Sequence, residues 1–554
     1  MNRVDRWLLA VILLVFGPNW IYMTDAAIGA GSSDALKHVW SQWIVHQNLN
    51  AGHPLSMSTG LIHYPSGGAF FSLDTFNAWL AWPISTVFGA VTAYNAIVVA
   101  NIGAAAWAAK TLAQELSMDE PSQWLMGFSF AVSAWMLSFP LASGVSETAV
   151  IWPLPLIMIA AKKTWSEIGW KWPAIGGVLL ITQGIACWSH GITAGLIVGG
   201  LGVANWRGLV TDRQRITRVA ILLGTAIVIA APWYAAITGT VSADDAIKTR
   251  TLSLFHSSPL NPLDVPEANS MALADFFLPG QWGRRVSQAG TEQLMYAAYP
   301  GWGLLILGGL ALRRKTPNTR IVLFGALAFA MLSMGPRVYL DHARTVGGLP
   351  NPVYLVAYWL VPLVNATIHS VDRFAVGVQL CVAILAAMGL AHCTPRIRWA
   401  CIGWVLIEAL LVSPGKWPIP MVKASIHPAS IAIQQSTHSG AVIDIPYMTS
   451  DNWFNGDIFL QQTAHGRPIP FQLEGHGIET AHPTIAANPY FQALSADRAP
   501  EQPCDGLDEL ATLGVGWVVL REGASAAVQD SLERCLGAPE TIERRRLFRI
   551  VPSP

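Results

Sequence analysis

Apolar runs close to membrane-crossing length recur along the chain, separated by short connections rich in Lys and Arg. A helix needs about 20 apolar residues to cross the hydrocarbon core. Runs near that length lie at Trp7–Met23, Thr92–Lys110, Gln123–Pro140, Glu147–Ala161, Pro173–Ser189, Gly191–Trp206, Val219–Ile237, Tyr299–Leu312, Ile321–Ser333, Ala375–Leu390 and Trp399–Val412. The pattern predicts an α-helical polytopic membrane protein with about eleven transmembrane helices. The first run lacks a small-residue cleavage site after a short core and reads as a retained anchor.

Basic residues set the expected orientation, because short basic loops stay cytoplasmic. Arg3 and Arg6, Lys162 and Lys163, Arg213 and Arg215, Arg313 to Lys315, and Arg396 with Arg398 all fall on one side of these spans. The N-terminus is therefore expected in the cytoplasm, in an inner (cytoplasmic) membrane. Trp79–Val91 (WLAWPISTVFGAV) is apolar but short and contains Pro83. Counting it as a span would invert the later loops, so it is expected to be re-entrant or interfacial on the outer face, as is Val353–Val364. The outer side then receives a long first loop and everything after Pro414. The tail carries short β-branched runs, AVIDIPY at Ala441 and WVVLRE at Trp517, followed by a helical ASAAVQDSLERCL and a final strand-like LFRIV. Strands alternating with helices predict a small α/β extracytoplasmic domain. The expected division is 1–414 in the membrane and 415–554 outside it.

Composition agrees with lipid as the main solvent. The 554 residues are 52% hydrophobic and 12% charged, half the charge density of about 25% usual in soluble domains. With 34 basic and 34 acidic residues there is no electrostatic footprint for nucleic acid. Cys504 and Cys535 are the only two of the six cysteines in the outer tail, a pair suited to a disulfide in an oxidising compartment.

Candidate chemistry sits just beyond the first span. In SSDALKHVWSQWIVHQ, a helix from Asp34 would place Leu36, Val39, Trp40 and Trp43 on an apolar stripe, lying on the bilayer as an interfacial helix. Asp34, Lys37, His38, Ser41 and Gln42 would face the other way. Asp34 has two readings, a carboxylate at a helix start or a catalytic base. His38 would orient it or sit at the headgroups. Asp74 is a second carboxylate, equally able to cap the helix that follows. Glu147 begins the fourth span at its outer end, and Arg373 lies at the outer mouth of a span where a lipid phosphate would lie. Glu408 is a carboxylate within the last span, a functional candidate by default.

These residues resemble a known family. An Asp just after span one, interfacial tryptophans, the YPSG turn at Tyr64, DFFLPGQW at Asp275, SVDRFAV at Ser370 and QTAHGRPI at Gln462 are similar to the GT-C class of integral-membrane glycosyltransferases. That class includes the protein O-mannosyltransferases and the aminoarabinose transferases. The resemblance implies transfer of a sugar from a polyprenyl-phosphate donor to a glycan, lipid or protein acceptor at the outer face, with Asp34 as base. Asp34 and Asp74 are then the catalytic candidates, and His38, Glu147 and Arg373 the substrate-binding ones. The family's acidic pair is absent beside Asp34, where Lys37 and His38 stand instead. No cofactor is implied, and a divalent metal ion is left open. Two other readings stand beside this one, a non-catalytic scaffold with the same shape and a lipid or solute transporter.

Overall fold

The computed structural model describes residues 3–31, 33–70, 73–243, 269–279, 297–315, 318–341, 346–360, 370–415, 417–445, 456–473, 481–500, 504 and 506–551. Each expected apolar run carries a helix. They are α1 (Arg3–Phe16), α3 (Thr75–Glu115), α4 (Glu120–Ala131), α5 (Pro153–Ser166), α6 (Lys171–Ala186), α7 (Trp188–Ala204), α8 (Arg213–Ala243), α9 (Trp302–Arg313), α10 (Thr319–Ser333), α11 (Ala375–Leu390) and α12 (Pro395–Val412), with α2 (Ala35–Asn50) in the first loop. By length and composition, Thr75–Glu115, Glu120–Ala142, Arg213–Thr238 and Val371–Leu390 are long and apolar enough to cross a membrane. The protein is an integral membrane protein.

Two helix boundaries differ from the sequence pattern, each for a local reason. Trp79–Val91 and the second run are two helical stretches that meet at a kink. Both belong to α3, which breaks only at Gly89, where φ 82° and ψ 170° lie outside helical space. Glycine reaches that conformation without a Cβ clash, so the chain turns at one residue and resumes its helix. The fourth run starts late. The helix α5 begins at Pro153, and proline suits the first turn because its missing N–H would have no intrahelical partner there. Glu147 is thereby left in a short 3-10 turn, Ser146–Ala149.

Ion pairs gather the basic connections at one end of the bundle. Lys110 Nζ lies 2.7 Å from Asp5, Lys162 Nζ lies 3.1 Å from Glu115, and Arg398 pairs with Asp119. Asp74 is at the opposite end of α3.

The C-terminal region builds a four-stranded sheet from β3 (Ala441–Ile445), β4 (Val515–Leu520), β5 (Glu540–Ile542) and β6 (Arg545–Arg549), ordered β3-β4-β6-β5. The first pair is parallel, with Ile445 opposite Leu520, and the other two are antiparallel. Helices α13 (Pro428–Gln435), α14 (Gly456–His465) and α15 (Ala526–Leu536) accompany it. A short antiparallel pair, β1 (Ala26–Ile28) with β2 (Met421–Lys423), ties the start of the first loop to the chain leaving α12.

The first loop completes the core of this sheet. Trp40, Ile44, Val45, Ile62 and Phe70 are buried together with Val442, Ile443, Phe459, Trp517 and Val518. Trp40 Nε1 donates to Gln462 Oε1 at 2.7 Å, and Gln462 Nε2 donates to Leu61 O. Backbone bonds join Ile469 N to Leu61 O and Tyr64 N to Ile469 O. The YPSG and QTAHGRPI segments are thus the two sides of one junction. Burial also corrects the expected setting of α2. Its residues from Ala35 to Gln42 are all buried in protein, so the apolar stripe packs on the sheet and the helix bundle, not on lipid.

Cys504 and Cys535 form a disulfide with Cα atoms 5.4 Å apart and a sequence separation of 31. Closing a loop of that length stabilises the region by roughly 3–4 kcal/mol in the chain-entropy account. Replacing both cysteines by serine should therefore speed hydrogen exchange across β4 and α15 by about a hundredfold or more. Exchange equal to wild type in those elements would show that the bond adds nothing there.

Candidate functional site

The amino end of α2 is held by close backbone contact. Asp34 N donates to Ser143 O at 3.2 Å, and Gly144, at φ 67°, lies so near that a Cβ there would come 2.7 Å from Ala35 N. Only glycine fits both the left-handed backbone and the space. Asp34 occupies the position before the helix, but its side chain makes no capping hydrogen bond. Its Oδ1 faces Lys37 Nζ at 3.1 Å, and the side chain keeps 21% of its exposure. Asp74 does not cap α3 either. It sits at φ 51° with no side-chain capping bond, and its Oδ2 accepts from Ser146 Oγ at 2.5 Å. A non-glycine residue in that region costs of order 1–3 kcal/mol and persists where the surroundings fix it.

His38 joins the carboxylates. Its Nδ1 is 3.7 Å from Asp74 Oδ2 and its Nε2 is 3.4 Å from Glu147 Oε2. Glu147 Oε1 is in turn 3.5 Å from Arg373 Nη2. The guanidinium of Arg373 lies over Phe139, 5.8 Å from the ring centre. Five residues far apart in sequence therefore converge: Asp74, His38, Glu147 and Arg373 in a row, and Asp34 one helical turn from His38. Arg373 engages Glu147 across the fold, so the neighbouring Asp372 is not needed to account for its position.

Exposure separates these groups into two layers. The side chains of Asp34 and Arg373 are 21% and 22% accessible, whereas His38 and Asp74 are sealed at 2% and 0%. Asp74, expected as a catalytic carboxylate, lies behind His38 and Ser146 and reaches a substrate only through them. Burial, together with the carboxylate of Glu147, pushes Asp74 well above the usual carboxylate range. Burial holds the His38 imidazole below its ordinary value, against the opposing pull of Glu147 and Asp34. Neutral His38 is therefore the resting form near neutral pH.

Several buried polar atoms here have no hydrogen bond of good geometry within the described residues: Asp34 Oδ1, His38 Nδ1, Asp74 Oδ1, Glu147 Oε2 and Arg373 Nε. Buried polar atoms are almost always bonded in native proteins, so such a cluster is compatible with a site for a polar ligand. Among the described residues, no group of three or more His, Cys, Asp or Glu is arranged to hold a metal ion. Lys37 and Arg373 lie on the carboxylates a metal would use.

Sequence reasoning missed Ser146, Tyr94 and the asparagines behind them. Tyr94 stacks on His38 and donates to Ile28 O at 2.8 Å, while Asn95 bonds Met23 O, Ala26 O and Ile28 N. Polar residues recurring inside an apolar run, Asn95 and Asn101, were the available signal. Glu408 falls outside the site. It accepts from Trp302 N at 2.7 Å, Gly303 N at 2.9 Å and the hydroxyl of Tyr299, and so caps the start of α9.

The sequence matches no family model, and no curated protein matches it. Solved structures do. The mycobacterial arabinofuranosyltransferase AftD superposes with a TM-score of 0.56 at 15% identity, over 100% of this chain and 42% of that one. The fold is that of the GT-C glycosyltransferases. ArnT from Cupriavidus metallidurans matches with a TM-score of 0.46 at 13% identity, covering 99% of this chain and 98% of its own. The oligosaccharyltransferase of Archaeoglobus fulgidus gives 0.45 at 13% identity, over 96% and 70%. The chain thus spans less than half the length of the arabinofuranosyltransferase, and on the GT-C fold its first loop, the turn before α5 and the mouth of α11 supply the converging residues.

The lowered His38 value has a measurable sign. Between the folded value and about 6.5 the unfolded chain binds the extra proton, so His38 makes stability rise with pH through that window and level off above it. Asp74, shifted upward, contributes a slope of the opposite sign. The thermal-midpoint difference between wild type and His38→Gln isolates the histidine. It should shift in favour of wild type as pH rises from about 5 to 7. A difference independent of pH would mean that His38 titrates as it does in the unfolded chain.

Proposed function

We propose that the protein transfers a sugar from a polyprenyl-phosphate donor to a hydroxyl-bearing envelope acceptor, at the outer face of the cytoplasmic membrane. The observation that carries this reading is the convergence of Asp34, His38, Glu147 and Arg373 at the end of a GT-C bundle opposite its basic connections. Since short basic loops stay cytoplasmic, that placement supports an outer-face site.

The chemistry asks for two things, and the two accessible side chains supply them. An acceptor hydroxyl loses its proton as its oxygen bonds to the anomeric carbon, and Asp34 takes that proton. The bond from the anomeric carbon to the phosphate oxygen breaks, and the electron pair leaves with the phosphate. A phosphate is a weak base and needs charge stabilisation more than a proton. Arg373 provides it with a guanidinium fork whose Nε has no hydrogen bond among the described residues. Glu147 fixes that fork, His38 fixes Glu147, and Asp74 with Ser146 fixes His38. These four are positioning residues. The acceptor is a glycan, lipid or protein, and no step is routed through a metal.

One observation favours a second reading, a non-catalytic scaffold. Lys37 lies 3.1 Å from Asp34 and opposes its use as a base. Asp34→Asn separates the two. Asn keeps the size and the helix-start preference, so a scaffold role predicts normal function. A base role predicts a loss of about 10²–10⁴-fold in turnover with the amount of folded protein unchanged. The comparison is made in membranes supplied with polyprenyl-phosphate sugar. Mass spectrometry of envelope glycans with and without the gene supplies the product, and an identical glycan profile would favour the scaffold.

Arg373→Lys tests the phosphate role separately. Lysine keeps the charge but loses the planar fork. Turnover at saturating donor should fall by about tenfold or more, the cost of about one charge-assisted hydrogen bond. Turnover close to wild type would reduce Arg373 to an interfacial anchor, since lysine snorkels equally well.

A further inference from the structure

A cleft of about 720 Å³ opens at the carboxyl ends of the parallel strands β3 and β4, lined by His427, Arg521, Glu522, Glu543, Arg544 and Arg545. Ligands of open α/β sheets bind outside the carboxyl ends of the strands, so its place in the fold is that of a binding site. Its floor is rigid. Arg521, the residue after β4, has Nε 3.0 Å from Asp444 Oδ1 and Nη2 3.1 Å from Asp457 Oδ2. Arg545 Nη2 is 3.0 Å from the same Asp457 oxygen. Its rim includes Glu543, which occupies the tip of the two-residue β5–β6 hairpin at φ 53°. That left-handed conformation costs a non-glycine residue energy, and strain of this kind gathers at functional positions. It brings Glu543 Oε2 to 3.4 Å from His427 Nε2.

Charge decides what the cleft would take. Its three arginines face Glu522 and Glu543 on the lining and Asp444 and Asp457 beneath, so the carboxylates outnumber the guanidiniums by one. Burial and the nearby Arg545 keep His427 below its ordinary value, so the imidazole adds no charge near neutral pH. A phosphate or other polyanion gains nothing from such a balance. A neutral, hydroxyl-rich chain does, since guanidinium donors alternate with carboxylate acceptors and each hydroxyl both donates and accepts.

The cleft is also connected through α14 to the helix that carries Asp34. Asp457 follows Gly456 at the start of α14, and Gly456 rests on α2 so closely that a Cβ would lie 3.0 Å from Leu36 Cβ and 3.5 Å from Lys37 N. Lys37 in turn faces Asp34. We propose that this cleft is a glycan subsite that holds the neutral oligosaccharide part of the acceptor. The proposal deepens the glycosyltransferase reading and rests on it for the word acceptor.

The test uses the full chain in nanodiscs and short neutral fragments of arabinan, mannan, galactan and glucan, with dextran sulfate as a polyanion competitor. Wild type should bind at least one neutral fragment, and dextran sulfate should not displace it. The exposed-tip variants Glu543→Gln and Arg544→Ala should each weaken binding by about tenfold, the loss expected for one charged hydrogen-bonding group. Both lie at a hairpin tip, so the sheet should fold without them. Binding by none of the fragments, displacement by dextran sulfate, or wild-type binding by both variants would overturn the subsite. Its failure is distinguishable from failure of the transfer reading. If Asp34→Asn transfers normally while the tip variants lose the fragment, the cleft stands and the base role falls. If Asp34→Asn is inactive while both tip variants keep the wild-type KM for acceptor, the cleft falls alone.

Discussion

The arrangement depends on one helix being buried in two cores at once. Leu36 and Val39 of α2 pack in the core of the helix bundle, while Trp40, Ile44 and Val45 pack in the core under the sheet. A fully buried aliphatic or aromatic side chain contributes about 1.5–3 kcal/mol, so several kcal/mol oppose any roll of α2 about its axis. That constraint fixes where the remaining polar positions point. Asp34, His38 and Gln42 recur at intervals of four and share a face, and from that face His38 reaches Asp74 and Glu147. The sheet therefore serves the site by clamping the helix that carries it.

The polar row then follows from burial without solvent. Carboxylate, imidazole, carboxylate and guanidinium alternate over the distances from Asp74 to Arg373, each 3.4 to 3.7 Å apart. Charges this deeply buried are tolerated only in company, because an isolated ion would neutralise instead. Asp74 illustrates the point, being pushed upward by burial and by Glu147. The outermost members keep some water contact and are the ones whose charge chemistry requires.

Local periodicity carried much of the architecture. Apolar runs at Ala375 and Trp399 are helices α11 and α12, and the β-branched runs at Ala441 and Trp517 lie in β3 and β4. The setting of α2 was not legible, because Trp40 and Trp43 suit a lipid interface as well as a protein core, and only the partner surface decides. The place where Trp79–Val91 breaks from the next run was hidden in Gly89, a residue whose single left-handed conformation no composition rule foretells. The candidates Asp34, His38, Asp74, Glu147 and Arg373 could be named from position, but their row could not. Its contacts span from 36 residues, His38 to Asp74, to 226, Glu147 to Arg373. Ser146 escaped notice because a serine beside a carboxylate in sequence has no distinguishing pattern.

Glu408 and Glu147 show how a structural carboxylate is told from one available for chemistry. Both are acidic residues in or beside apolar runs, Glu408 a candidate as a carboxylate within a span and Glu147 as one at a span's outer start. Glu408 is a filled acceptor: two backbone amides at the start of α9 and the Tyr299 hydroxyl converge on it, supplying orphan donors with a partner. Glu147 is held only by ion pairs at 3.4 and 3.5 Å, and its Oε2 has no aligned donor within the described residues. Removing Glu408 would leave helix-end amides unsatisfied, a cost to folding. The donors around Glu147 are side chains that titrate or carry fixed charge, and these can change partner as a substrate's charge develops. The difference lies in what surrounds each carboxylate, and on that ground the proposed site is drawn around His38 and not around Glu408.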